Sequence, residues 1–139
     1  MNNFFAWFYE MLNGIFLTKY PQIFSFMYDN GHYANIGWFL LLIPLAFLAM
    51  FYFLWRYPYG RIWHWLLWIL VIGIVTGGVT YGYCMDKLAS YLATIETEQV
   101  TFSLLLKYGI VNAVWSIFLA AAHSLWMSRL SKIQKHLPF

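Results

Sequence analysis

The chain has 139 residues, of which 63% are hydrophobic and only 9% are charged. Soluble globular domains contain roughly 25% charged residues, so this composition excludes an ordinary water-soluble domain and predicts a single membrane domain, 1–139. The net charge is +3, but the basic residues do not form a polar face with interleaved aromatic rings. We therefore expect no nucleic-acid partner. The single cysteine, Cys84, excludes an intrachain disulfide.

The first predicted element is a helix over residues 4–18. At 100° per residue, one face of this segment carries large apolar side chains, and Ala6, Glu10 and Asn13 fall opposite. The apolar face comprises Phe4, Phe5, Phe8, Met11, Leu12, Ile15 and Phe16. We expect an amphipathic helix that lies in the outer membrane interface. A fourth span is the alternative, in which Glu10 and Asn13 would need partners within lipid.

Three apolar segments follow, at residues 35–55, 64–83 and 108–127, and they contain no Asp, Glu, Lys or Arg. About twenty helical residues cover the hydrocarbon core of roughly 30 Å, and a helix satisfies its backbone polar groups internally. The sequence therefore predicts an all-α integral membrane protein with three transmembrane helices. Pro44 lies inside the first of these spans and predicts a kink, because proline removes a backbone donor.

The segments between the spans give further predictions. Pro21 and the sequence Asp29–Gly31 predict chain breaks before the first span. In the link after the second span, apolar residues recur at helical spacing, at Leu88, Tyr91, Leu92 and Ile95. This pattern predicts a short amphipathic helix over the outer face of the membrane.

The distribution of charge predicts the orientation. The link between the first two spans carries Arg56 and Arg61, and the tail 128–139 carries Arg129, Lys132 and Lys135, whereas all five acidic residues lie in the other two segments. Cytoplasmic loops of membrane proteins are enriched in Lys and Arg. We therefore expect the first link and the C-terminus to be cytoplasmic, and the protein to lie in a plasma membrane, with a bacterial inner membrane as the expected location.

Small residues four apart predict helix faces that pack closely. The second span holds two overlapping GxxxG patterns, one with Gly73 and Gly77 and the other with Gly78 and Gly82. The third span carries a stripe of Asn112, Ser116, Ala120 and Ser124. Either the two stripes face each other within one chain, or one of them faces another molecule. Because three helices have little interior, we expect a homo-oligomer; a structural or anchor subunit of a larger membrane complex is the alternative.

Asn112 is the most polar side chain deep in a predicted span, and lipid disfavours such a group. It either makes an interhelical hydrogen bond or lines, with Ser116 and His123, a pore between several copies. His64 and His123 have matching predicted depths, and paired histidines can ligate haem. A haem- or quinone-binding electron-transfer anchor is thus a third function, although we expect no bound cofactor.

Motifs for catalysis do not occur in this sequence. It shows no nucleophile–base constellation, no zinc-ligand spacing and no Gly-rich phosphate loop. We therefore expect neither catalytic residues nor a metal site, and we expect that the chain is not an enzyme. Membrane lipid is the first partner that the composition predicts.

Overall fold

The computed structural model describes residues 2–14, 21–54, 62–92 and 102–130, which are helical except for a turn at Asn30 and Gly31. In chain order the helices are α1 (Asn2–Gly14), α2 (Pro21–Asp29), α3 (His32–Ala49) with a π-helical continuation (Met50–Leu54), α4 (Ile62–Leu92) and α5 (Phe102–Leu130). Three stretches are long and apolar enough to cross a membrane: His32–Leu54, Ile62–Tyr91 and Leu104–Ser128. For the described ranges, the prediction of helical structure with three such helices is confirmed.

The three long helices form one bundle, in which α3 and α5 run in the same direction and α4 runs opposite to them. Two levels of contact show this arrangement. At one level Asn112 of α5 reaches Ile36 of α3 and Thr80 of α4. At the other level Ser124 lies against Tyr52 and Trp65.

Facing glycines bring α4 and α5 into backbone contact. A Cβ atom built on Gly77 would lie 2.9 Å from the carbonyl oxygen of Gly109, and a Cβ on Gly109 would lie 3.0 Å from the carbonyl oxygen of Gly77. A Cβ on Gly73 would lie 2.8 Å from the side chain of Ile117. Small residues permit this approach, and dispersion and interhelical hydrogen bonds then hold the helices together. The first of the two GxxxG patterns is therefore used inside the chain.

Helix α1 packs against α3 and reaches α5. It presents Phe5, Ala6 and Tyr9 to the bundle, whereas Phe4 and Trp7 are 63% and 59% exposed. The face that α1 presents to the bundle therefore differs from the predicted apolar face, which included Phe4 and placed Ala6 opposite, and the location of α1 in the membrane interface stays a prediction. In water, hydrophobic side chains are expected to face the protein interior. In lipid that expectation fails, because large apolar side chains can face outward while small ones face the neighbouring helix. Residues 15–18 of the predicted element lie outside the described residues.

Helix α2 was not among the predicted elements. Pro21 is its first residue, a position at which the missing N–H is not needed and the fixed φ suits a helix. The chain then turns at Gly31, which has a φ of 67°, a conformation that glycine adopts without strain. The predicted breaks at Pro21 and at Asp29–Gly31 are therefore a helix start and a tight turn into α3.

Helix α4 extends nine residues past the predicted end of the second span at Tyr83. The separate helix predicted in the outer link is wrong, because Leu88 and Tyr91 belong to the last turns of α4. The chain contains no glycine or proline between Tyr83 and Leu92 that would end the helix. Ile95, also part of that prediction, lies outside the described residues.

Pro44 lies inside α3 on its buried side. The helix keeps its α-helical assignment through this residue and changes to π-helical bonding only at Met50–Leu54. The kink expected at Pro44 stays a prediction.

Candidate functional site

The interior of the bundle holds a group of three hydrogen-bonded side chains, Tyr9, Thr80 and Asn112, which we call the polar centre. Asn112 is fully buried. Its amide nitrogen Nδ2 donates to the Ile36 carbonyl at 3.1 Å and to Thr80 Oγ1 at 2.8 Å, and its Oδ1 accepts a bond of 2.5 Å from the Tyr9 hydroxyl. One side chain therefore ties α1, α3 and α4 to α5.

The donor and acceptor roles within the polar centre are mutually consistent. Thr80 Oγ1 donates to the Thr76 carbonyl at 2.8 Å and so accepts, rather than donates, at Asn112. Burial raises the pKa of Tyr9 above its usual value, so the phenol keeps its proton and acts as the donor to Asn112. The ring of Tyr9 also stacks on Tyr33, with centroids 5.9 Å apart. This arrangement fixes helix positions and needs no bound group to complete it.

A second polar cluster lies at the other end of the bundle. Ser124 Oγ lies 2.5 Å from the Tyr52 hydroxyl and accepts a bond of 2.7 Å from Trp65 Nε1. Tyr52 belongs to the π-helical segment, so this cluster joins the end of α3 to α4 and α5. Ser116 and Ala120 are also fully buried, and Ser116 donates to the Ala113 carbonyl of its own helix at 2.8 Å. The predicted small-residue stripe of α5 thus faces the interior of the chain.

The residues predicted to line a pore occupy different positions. Asn112 and Ser116 are fully buried, so neither presents a polar group at a surface that another copy could share. His123 is half-buried at a shallow depression beside Ala122 and Trp126, and its Nδ1 lies 2.7 Å from the Leu119 carbonyl. These contacts favour the interhelical hydrogen bond as the role of Asn112, and a pore lined by α5 stays a prediction.

The two histidines considered for haem lie on helices that meet near the expected level. Trp65 contacts Ser124, and these residues directly follow His64 and His123 in the sequence. The expected similarity in depth therefore agrees with the packing of α4 on α5. Ligation of haem by this pair stays a prediction.

The second GxxxG pattern lies on the outer surface of the bundle. No atom of the described residues comes within 4 Å of a Cβ built on Gly78 or Gly82, beyond their own helix. Gly78 borders a shallow apolar groove along the seam between α4 and α5, which we call the α4–α5 groove. Its lining comprises Gly73, Ile74, Gly77, Gly78, Tyr81, Leu106, Gly109, Ile110 and Ala113.

Sequence reasoning missed two groups of polar contacts. Tyr9 was assigned no role, although it completes the polar centre. His32 was likewise assigned no role, but it is buried, with Nδ1 2.8 Å from the Tyr83 hydroxyl, which also accepts a bond of 2.6 Å from Asn35 Nδ2. The spacing of His32 and Asn35 places them on one helix face, which is the signal that could have paired them.

Comparison of the chain with models of protein families, with curated proteins and with solved structures finds no match.

Proposed function

We propose that the chain is an integral membrane protein that crosses a bilayer three times through α3, α4 and α5. The outward faces of these helices support the proposal, because they carry large apolar side chains such as Leu67 and Phe118, which are 61% and 62% exposed. A surface of this kind suits hydrocarbon and not water. The arginines at positions 56 and 61 favour a cytoplasmic location for the first link and for the C-terminus.

Within the membrane, we propose that the protein works as a self-associating subunit that assembles through the α4–α5 groove. The observation that carries this proposal is the exposed position of Gly78. Its partner pattern, Gly73 and Gly77, is used against α5, but Gly78 and Gly82 have open space beside them. In a membrane, apolar burial does not drive association, so a glycine face gains stability only from a helix that packs closely against it.

The shape of the groove suits a helix of a second copy. Four residues of α4 that line the groove are spaced at i, i+3, i+4 and i+7, namely Ile74, Gly77, Gly78 and Tyr81. Four residues with this spacing form a hole that accepts one side chain of a facing helix. Ile74 itself is 64% exposed and projects beside the hole. Because a two-fold interface pairs identical patches, each copy would supply both the projecting side chain and the hole.

A pore lined by α5 receives less support than assembly does, since the polar side chains of that helix are occupied within the chain. The groove would also accept a helix of a different protein, which is the anchor-subunit alternative. The same experiment separates these two functions when it reports both the number of copies and any companion protein.

We test the proposal by measuring the mass of the intact assembly extracted from native membranes, over a range of expression levels. The variant Gly78→Leu adds a side chain at the α4–α5 groove, and a Cβ at this position has no atom of the described residues within 4 Å beyond its own helix. Val79→Leu is the matched control, because Val79 is the next residue, is exposed and does not line the groove. We expect the wild type and Val79→Leu to form an oligomer of this chain and Gly78→Leu to be monomeric. A wild-type chain that is monomeric at every expression level contradicts self-association. If the wild type instead carries a different companion protein that Gly78→Leu loses, the result supports the anchor function in place of self-association.

A further inference from the structure

An apolar cavity of about 200 Å³ lies where α1 meets α3 and α5. Phenylalanines of α1, leucines of α3 and α5, and Trp115 line it, and no polar atom of the described residues faces it. Phe5 and Leu40 are each 4% exposed and form its floor, whereas Phe4 and Leu41 are exposed and form its rim. The cavity is therefore closed toward the bundle and open toward the outer surface.

The cavity lies near the middle of the helices that are long enough to cross a bilayer. Trp115 directly precedes the central residue of Leu104–Ser128, and Leu41 lies two residues before that of His32–Leu54. The ring of Phe8, which also lines the cavity, packs on Trp115 with centroids 5.3 Å apart. In the proposed bilayer arrangement, the mouth of the cavity therefore faces hydrocarbon and not water.

The size and the chemistry of the cavity restrict what can occupy it. A protein cavity of about 150 Å³ lined by Leu, Ile and Phe stays dry and takes up small apolar molecules. Water is excluded from this cavity for the same reason, and a helix about 10 Å across is too wide to enter. The end of a hydrocarbon chain is narrow enough. Lipid acyl chains end near the middle of the bilayer, which is the depth of the cavity.

We propose that this cavity binds the terminal part of a lipid acyl chain. The chain packs against Phe8 of α1, Leu41 of α3 and Trp115 of α5, and it supplies the dispersion contacts that an empty cavity would deny to its lining. This inference rests on the proposed crossing of the bilayer. It does not depend on self-association, because the cavity and the α4–α5 groove share no lining residue.

Photo-crosslinking of the full chain in phosphatidylcholine vesicles tests the proposal. The probe is a phosphatidylcholine that carries a diazirine at the end of one acyl chain. Mass spectrometry of the peptides compares the label on Trp115, inside the cavity, with the label on Val79, which is exposed near the middle of Ile62–Tyr91. We expect the wild type to be labelled at both residues. The same lipid with the diazirine beside the ester group should leave Trp115 unlabelled, because only the chain end enters the cavity.

Two variants fill the cavity from different helices. Leu41→Trp adds bulk on α3 and Leu119→Phe adds bulk on α5, and both residues line the cavity. We expect each variant to lose the label on Trp115 and to keep the label on Val79, because a filled cavity has no room for the chain. Leu42→Trp is the matched control, since Leu42 is the next residue, is exposed and does not line the cavity.

A wild type labelled on Val79 but not on Trp115 would overturn the proposal, because the cavity would then be empty or closed by a second copy. Equal labelling of Trp115 by the two probes would also overturn it, and this comparison needs no variant to fold. Label on Trp115 that survives both filling variants would show that lipid reaches the indole from outside the cavity. A wild type with no label on either residue would instead contradict the proposed crossing of the bilayer.

Discussion

Replacing Asn112 by leucine should destabilise the fold through one identifiable group. Thr80 keeps its bond to the Thr76 carbonyl, so the Tyr9 hydroxyl is the group that loses its only side-chain partner in the polar centre. The two bonds lost at Asn112 Nδ2 contribute about 0.6 kcal/mol each, as is typical inside membrane proteins. The stranded hydroxyl costs about 1–3 kcal/mol. The expected loss is therefore about 2–4 kcal/mol of unfolding free energy.

Unfolding by sodium dodecyl sulfate from mixed micelles, followed by tryptophan fluorescence, measures this loss. Val114→Leu is the matched control, because Val114 lies on the same helix and is exposed. Combining Asn112→Leu with Tyr9→Phe removes the stranded hydroxyl and should restore about 1–3 kcal/mol relative to Asn112→Leu. If Asn112→Leu unfolds at the same detergent fraction as Val114→Leu, the polar centre does not hold the helices together as we argue.

Three further predictions concern the glycines. Gly77→Ala should lower the unfolding free energy by about 1–3 kcal/mol, because its Cβ meets a backbone carbonyl of α5. Gly78→Ala should leave the unfolding free energy unchanged or raise it by up to about 1 kcal/mol, because alanine favours the helix more than glycine does. Equal effects of the two variants in the same unfolding assay would show that the close contact at Gly77 is wrong. Gly37→Ala should displace the aromatic ring of α1 that lies against Gly37. The buried Cys84 thiol should then react faster with a maleimide. An unchanged rate of modification would show that α1 does not cover the thiol. A cysteine introduced at Gly60 should react with a membrane-impermeant maleimide only after cells are opened, and labelling of intact cells would reverse the proposed orientation.

The three long helices could be predicted because a charge-free apolar run has one stable conformation in lipid, whichever neighbours it finds. The end of α4 was harder to predict, since the residues after Tyr83 become amphipathic without any helix-breaking residue. An amphipathic pattern marks a change of surroundings and not a break in the helix. That is why the last turns of α4 were predicted as a separate element.

The residues of the candidate site were only partly predictable, because spacing along one helix does not say which neighbour a face will meet. The sequence shows two equivalent glycine patterns, yet only Gly77 lies opposite another glycine, Gly109. Asn112 could be predicted to need a partner because an amide is costly in lipid. Tyr9 could not be identified as that partner, since 103 residues separate the two and ordinary aromatic richness conceals it.

The long separation between Tyr9 and Asn112 also affects how the chain is made. The N-terminal helix and the first two spans leave the ribosome before α5 has been synthesised, so the Tyr9 hydroxyl has no acceptor from Asn112 during that interval. Thr80 is less affected, because the Thr76 carbonyl serves it within one helix. The bond from Tyr9 to Asn112 therefore forms only after α5 has been synthesised, and a chain truncated before Asn112 would hold the N-terminal helix without that bond.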